Sequence, residues 1–468
     1  VAKRSAQGST IGLLAQAVRS ADADRVSPAA IEQAKLLLLD TIGCGFAGRH
    51  EPAARACLSA ISGSTGPCAV IGQAARTSLL NAAFANGALI RVLDLNDYII
   101  GEANGEPESA GHPSDNIPVA LAVGEVRQRS GREILAAITM GYEFYARLQR
   151  AMDRAGRWDG VTASGLVAPA ISGWLMGLTE DQLAHALALG AARAVTPSIV
   201  RTGDISAAKS LANALVAQSG VQAALLAEQG ITGPHAILDD TRGLRDLFAR
   251  MDPSALCAPF PPDGAIMRAH VKTYACINTG QSAVAAALKL HAMLNGNVSG
   301  LSRIEVTMAD YKVTKRHQED PERLHPVSRE AADHSFPFIV AVALLDGRFG
   351  PRQFEGERWR DPTVTSLMSK IAMRRNAAWN ARAPGSYPCS ITAIDVQANE
   401  HRVEVSYPPG YSQAGLEPNI VLDKFHAVTD AILARADRAR IVDAVMDLDR
   451  RPSAETLSNA IAIEGKST

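Results

Sequence analysis

Aromatic side chains are scarce, with four Trp, eight Tyr and ten Phe in 468 residues, or 5%. A core without large rings must be filled by aliphatic and small residues brought close together. Alanine and leucine recur throughout; alanine has the best helix propensity and lets helix axes approach, so a mainly α fold is expected. An excess of charge of either sign is also missing: 47 Lys plus Arg face 48 Asp plus Glu. That balance argues against nucleic acid and against an anionic membrane as partners, since both need a concentrated positive field. Cysteines are few and scattered, at 44, 57, 68, 257, 276 and 389, with no Cys-x-x-Cys pair. The spacing fits neither a disulfide framework, nor a zinc ribbon, nor an iron–sulfur ligand set, and suits reduced thiols in a cytoplasmic protein. No stretch reads as the roughly 20 apolar residues of a membrane span, and Val1–Gly8 has no signal-peptide core.

What is present is a folding composition, 47% apolar and 20% charged, on a chain long enough for two domains of unequal size. The first half reads as successive helices. Ser27-Pro28 supplies a cap and a first-turn proline, and Ser130/Glu133 and Thr179/Gln182 fit capping boxes. Breaks are expected at Gly141, Gly177, Gly190 and Gly220. Leu211–Gly230, rich in small residues and nearly apolar all round, reads as a buried helix. Residues 257–266, with three prolines, read as a linker. Beyond it, Arg303–Met308 alternates as a strand, Ser390–Tyr407 reads as two strands about a turn at Asn399-Glu400, and His334–Gly347 as an apolar helix. From Asp423 the spacing is helical again. The expected architecture is an all-helical domain, 1–266 plus 406–468, with a smaller α+β lid domain, 267–405, inserted into it. The cleft between two such bodies is the default ligand site.

Chemistry concentrates in 86–125. Asp94, Asp97 and Tyr98 precede a polar run from Gly101 to Gly111, read as a loop, and His112-Pro113-Ser114 follows it just ahead of a helix. A loop can present an acid, a phenol and an imidazole to a cleft. Lys209 lies just ahead of the buried helix, and Lys272 just after the linker. A cation beside apolar segments is costly unless paired, and a bound carboxylate is one available partner. Taken singly, each of these residues also has a structural reading as a salt bridge, a loop brace or a hydrogen-bonded core imidazole.

Together they resemble a known family. Asp94-Leu95-Asn96-Asp97 followed by His112-Pro113-Ser114 resembles the "DFDD…HPS" signature of the MmgE/PrpD family. Leu39–Gly43 is similar to its early "D-x-hydrophobic-G" helix, Gly220–Pro234 to "GxxAAxLAxxGxTGP", Lys272-Thr273-Tyr274 to "KxYPxC", and Ala332–Pro337 to "AxHSFxY". The segment closing at Asp423-Lys424-Phe425 is similar to its final "KF" element. The resemblance spans about 10–430. It implies a helical domain with an inserted lid, a homodimer, no metal or organic cofactor, and an active site between the domains.

The family contains 2-methylcitrate dehydratase, cis-aconitate decarboxylase and iminodisuccinate epimerase. By motif, its active-site residues carry over to Asp94, His112, Lys209 and Lys272; Tyr98 stands at a family threonine. Three departures matter. Decarboxylase members carry histidines near Trp158–Gly160 and near Ile277-Asn278, and a tyrosine at Phe338, none of which this chain has. Decarboxylation is therefore the least supported activity. The resemblance implies a cofactor-independent dehydratase that removes a proton next to a carboxylate of a small hydroxy di- or tricarboxylic acid. Lys209 and Lys272 would clamp carboxylates, His112 would act as acid/base, Asp94 would orient it, and Tyr98 would be the nearest second acid. An epimerase or isomerase, and a ligand-binding paralogue without catalysis, are the alternatives.

Overall fold

The computed structural model describes residues 8–103, 106–109, 111–154, 156–202, 205–382, 385–413 and 415–463. Val1–Gln7, and Gly203-Asp204 ahead of Lys209, lie outside the described residues. The first half is a helical array: α1 (Thr10–Arg19), α2 (Pro28–Gly48), α3 (Pro52–Ala60), α4 (Leu79–Arg91), α5 (Ile117–Val126), α6 (Gly131–Ala151), α7 (Ser164–Met176), α8 (Glu180–Ala191) and α9 (Ala208–Glu228). Their starts follow the sequence signals. The Ser27 side chain accepts from the Ala30 N–H with Pro28 in the first turn, and both capping boxes form.

α9 is the centre of the array and packs against α4, α7 and α8. Its length and composition match a bilayer-crossing helix, which the sequence reading did not find; most of it is buried among its neighbours, as in the core helix of a folded domain. Three expected breaks are corrected. Gly141, Gly190 and Gly220 lie inside α6, α8 and α9, and only Gly177 ends a helix, at φ 74°. Their role is close approach: a Cβ at Gly220 would sit 2.6 Å from Ala168 Cβ and 2.8 Å from Pro169 Cδ, and one at Gly141 2.7 Å from Ile171 Cδ1. The propensity cost of an internal glycine is offset by the helix contact it permits.

Strands also occur where only helix and loop were expected. β1 (Cys68–Val70) and β2 (Gln73–Thr77) form a hairpin. β3 (Tyr98–Ala103), β4 (Glu106–Ser109) and β5 (Ala269–His270) form a small antiparallel sheet in the order β4-β3-β5. The run 101–111 thus carries a hairpin; Tyr98-Ile99-Ile100 favours extended backbone, and the polar residues after it masked the signal. β5 pairs with β3 although it lies past 267 in the chain. The larger sheet runs β7-β6-β8-β9, from β6 (Leu301–Ala309), β7 (Ile371–Asn376), β8 (Cys389–Asp395) and β9 (Glu400–Val405). β6 is parallel to β7 and antiparallel to β8, with Val306 opposite both Met373 and Ile391. The helices Gln281–Met293 and Phe336–Asp346 pack on one another and on this sheet. The chain then returns, and the helix Pro418–Thr429 lies along α2. The structure is mainly α, and its main apolar cluster runs from Ile11 to Ile461, with three small ones beside it among the described residues.

Candidate active site

α4 ends at Arg91, and the chain must turn before β3 begins. Asp94 makes that turn at φ 49°, a left-handed conformation that aspartate tolerates better than most side-chain-bearing residues, and its N–H donates to the Arg91 carbonyl at 3.1 Å. The turn aims the Asp94 carboxylate inward. Arg91 Nη1 donates to Oδ1 at 2.7 Å, Lys272 Nζ to the same oxygen at 2.5 Å, and Lys209 Nζ to Oδ2 at 3.3 Å. Lys272 Nζ also donates to the Asp94 carbonyl at 2.8 Å. Lys209 reaches the group from the first turn of α9, and Lys272 from just beyond β5. Burial alone would raise the Asp94 carboxyl; Arg91, Lys209 and Lys272, with His334, overcome it and hold the group well below the usual carboxylate range.

His112 follows β4 and precedes α5. Gly111 before it has φ 86°, and a side chain there would collide with the Tyr145 hydroxyl. His112 Nδ1 lies 2.5 Å from the Asp97 carbonyl oxygen, which makes Nδ1 the N–H donor and leaves Nε2 bare, 3.9 Å from Asp94 Oδ1. Burial, then Arg91 and Lys272, push this imidazole well below its ordinary value, so it is neutral at pH 7. Asp97 itself is a brace: its Oδ1 accepts from the Ser114 N–H at 3.3 Å, and burial raises it to about 7.

Besides Arg91, two residues at this site were not expected from the sequence. Asp333 and His334 stand between the short helix Arg329–Ala332 and the helix Phe336–Asp346. Asp333 accepts from Lys209 at 2.9 and 3.2 Å, and His334 Nδ1 is bonded to Asp333 Oδ1. His334 Nε2 lies 3.9 Å from Asp94 Oδ2, the oxygen opposite the one facing His112. Burial and Lys209 lower His334 to about 4. The signal for this pair was the "HSF" motif, read as the start of an apolar helix.

Four of the five expected site residues therefore converge: Asp94, His112, Lys209 and Lys272. Tyr98 stands apart. Its ring meets His270 at 5.0 Å, its electrostatic neighbours are Tyr387, Tyr411 and Cys276, and burial raises its phenol. The lysines are also not free cations awaiting a ligand, since Asp94 and Asp333 already partner them. Of the departures, Asp159 is tied to Arg201 at 2.6 Å, Phe338 packs on Phe354 at 5.4 Å, and Asn278 keeps a buried Nδ2 without a hydrogen-bond partner.

Asp94, Asp333 and His334 have the spacing of a metal-ligand set. The residues do not fit one, because the Lys209 ammonium already bonds both carboxylates, at 3.3 and 2.9 Å, and stands 3.2 Å from His334 Nδ1. A second cation among them would face it directly.

Neutral imidazoles set around a carboxylate–ammonium cluster form a class of site suited to moving protons on anionic substrates. The sequence comparisons give the lineage. The MmgE/PrpD N-terminal domain model matches residues 12–255 and the C-terminal domain model residues 274–448. The chain belongs to the MmgE/PrpD family. It is similar to the 2-methylcitrate dehydratases of Salmonella typhimurium (27% identity, 91% of each chain) and Cupriavidus necator (26%, 85% of each). It is also similar to human cis-aconitate decarboxylase, at 27% over 77% of this chain and 75% of that one.

Two predictions follow from these contacts. Asp94→Asn leaves buried lysines short of a counter-charge, so stability should fall by about 3–5 kcal/mol in urea unfolding; an unchanged midpoint would show that Asp333 suffices. The second concerns pH. His270 is buried between Tyr98 and Tyr411, and burial lowers it to about 4. Because the folded value lies below the unfolded one of about 6.5, the unfolded chain takes up the proton first. The stability it supplies is complete above about pH 6.5 and is lost as pH falls through 4. The wild type should lose about 3 kcal/mol over that window that His270→Gln does not lose, read from urea midpoints; parallel curves would contradict this.

Proposed function

We propose that the protein is a cofactor-independent dehydratase acting on a small hydroxy di- or tricarboxylic acid, by abstraction of a proton next to a carboxylate. One observation carries this reading: a bare imidazole nitrogen, His112 Nε2, and an ammonium group, Lys272, converge on the same oxygen of Asp94. Base and cation are what removal of a weakly acidic C–H proton requires. The base accepts the proton, and the ammonium stabilises the enediolate-like charge left on the carboxylate, a preorganised donor being worth about 3 kcal/mol of barrier. Lys272 directs two of its N–H groups at Asp94, and in this reading a substrate carboxylate takes the third. Lys209 is shared between Asp94 and Asp333, and a substrate carboxylate competes for it.

The dehydratase names of the relatives support elimination of water. Decarboxylation has less support, because Phe338 is a packing residue here. The facing of two imidazoles onto opposite oxygens of Asp94 favours, as a second reading, epimerisation by proton removal on one face and return on the other. Both lysines are buried, and in this reading the body bearing residues 267–405 is the lid that parts to admit substrate.

The test is solvent deuterium incorporation into candidate acids, 2-methylcitrate first, followed by proton NMR. Incorporation with loss of water supports the dehydratase, and incorporation with racemisation the epimerase. No exchange across a broad acid panel leaves a ligand-binding protein. His112→Ala should abolish exchange with the melting temperature nearly unchanged; a collapsed fold instead would make His112 a structural residue.

A further inference from the structure

Elimination needs a second proton-transfer group, because the hydroxyl leaves as water only if an acid protonates it. Tyr98 stands apart from the cluster, which turns attention to the imidazole the sequence reading passed over. His112 and His334 differ in how they could carry charge. His112 Nδ1 rests on a neutral backbone carbonyl. His334 Nδ1 rests on the Asp333 carboxylate, and its Nε2 faces the Asp94 carboxylate at 3.9 Å. An imidazolium at 334 is thus flanked by two anions, while one at 112 has Asp94 on one side only.

What opposes charging is burial and the Lys209 ammonium, 3.2 Å from Nδ1. A substrate carboxylate settling on Lys209 removes much of that opposition. The charge balance points the same way. Without ligand, Arg91, Lys209, Lys272 and Arg329 are already balanced by Asp94, Asp333, Asp115 and Glu51, so a di- or tri-anion joining this cluster is favoured when protons come with it.

We propose that His334, held by Asp333, is the second proton-transfer residue of this site: it takes up a proton when a carboxylate substrate binds and delivers it to the leaving hydroxyl. The step balances. His112 Nε2 takes the proton on the carbon next to the carboxylate, that C–H electron pair becomes the C=C bond, and the C–O bond breaks. The oxygen leaves as water with the His334 proton. This role rests on the dehydratase reading above.

The experiment pairs proton uptake with leaving-group chemistry. Tricarballylate, which has no hydroxyl to lose, is titrated into the wild type near pH 7 in two buffers of different ionisation enthalpy. Uptake of about one proton is expected, and its loss in His334→Gln. In turnover, His334→Gln should lose about 10²–10⁴-fold on 2-methylcitrate. It should stay within about tenfold of the wild type on the analogue bearing fluorine in place of the hydroxyl, because fluoride leaves without a full proton transfer. A merely structural role would depress both substrates equally, and that result overturns the proposal. So does proton uptake unchanged by the substitution, or no uptake by the wild type, a measurement that stands even where the variant fails to fold. If the wild type binds no tricarballylate and turns over no acid, the functional reading falls and takes this role with it. If the wild type turns over and His334→Gln matches it, only the role falls.

Discussion

The Asp94 carboxylate is the joint on which the site depends. It is buried, it sits on a left-handed turn, and it accepts from three cations brought from distant parts of the chain. Arg91 comes from the helix just before it, Lys209 from 115 residues further on and Lys272 from 178. Each ammonium would be intolerable in this interior alone, and so would the carboxylate. Their mutual pairing makes the arrangement stable and ties the helical array to the segment after 270. The same pairing limits the chemistry. A substrate carboxylate is a rival of Asp94 for the lysines, so binding must rearrange these bonds, and affinity reflects the difference between two anions rather than the full strength of either.

How much of this was legible follows from what each residue contributes in one dimension. Asp94, His112, Lys209 and Lys272 were found because a charged or ionisable residue beside an apolar segment needs a partner, and because their order matches the family. Tyr98 was grouped with them by nearness in sequence, but it begins β3, where alternation sends neighbouring side chains to opposite faces. Its ring goes to His270. Asp333 and His334 were overlooked for the converse reason. The apolar run from Phe336 to Leu345 overwhelmed two polar residues at its amino end, and nothing local says that this end points at Lys209. Arg91 was hidden likewise, as the last residue of an apolar helix whose charge is spent on the turn that follows.

The glycines were misjudged by a related rule. Gly141 and Gly220 break propensity, yet they lie within helices because the neighbouring helix fills the space a side chain would take. Propensity is a weak prior, and helix–helix packing overrides it once a small residue is what the contact requires.

That packing connects the scarcity of aromatics to the chemistry. Gly87 of α4 lies against Ala214 of α9, so near that a Cβ on the glycine would be 3.1 Å from the alanine Cβ. From this crossing α4 runs forward to Arg91 while α9 runs back to Lys209, so the carboxyl end of one helix meets the amino end of the other. Asp94, just past the end of α4, is thereby brought to the Lys209 ammonium, which projects from the first turn of α9. A bulkier pair at 87 and 214 would separate the two ends by more than the 3.3 Å bond from Lys209 to Asp94 can span. Small residues at the crossing are therefore part of the site's geometry, although they touch none of its charges.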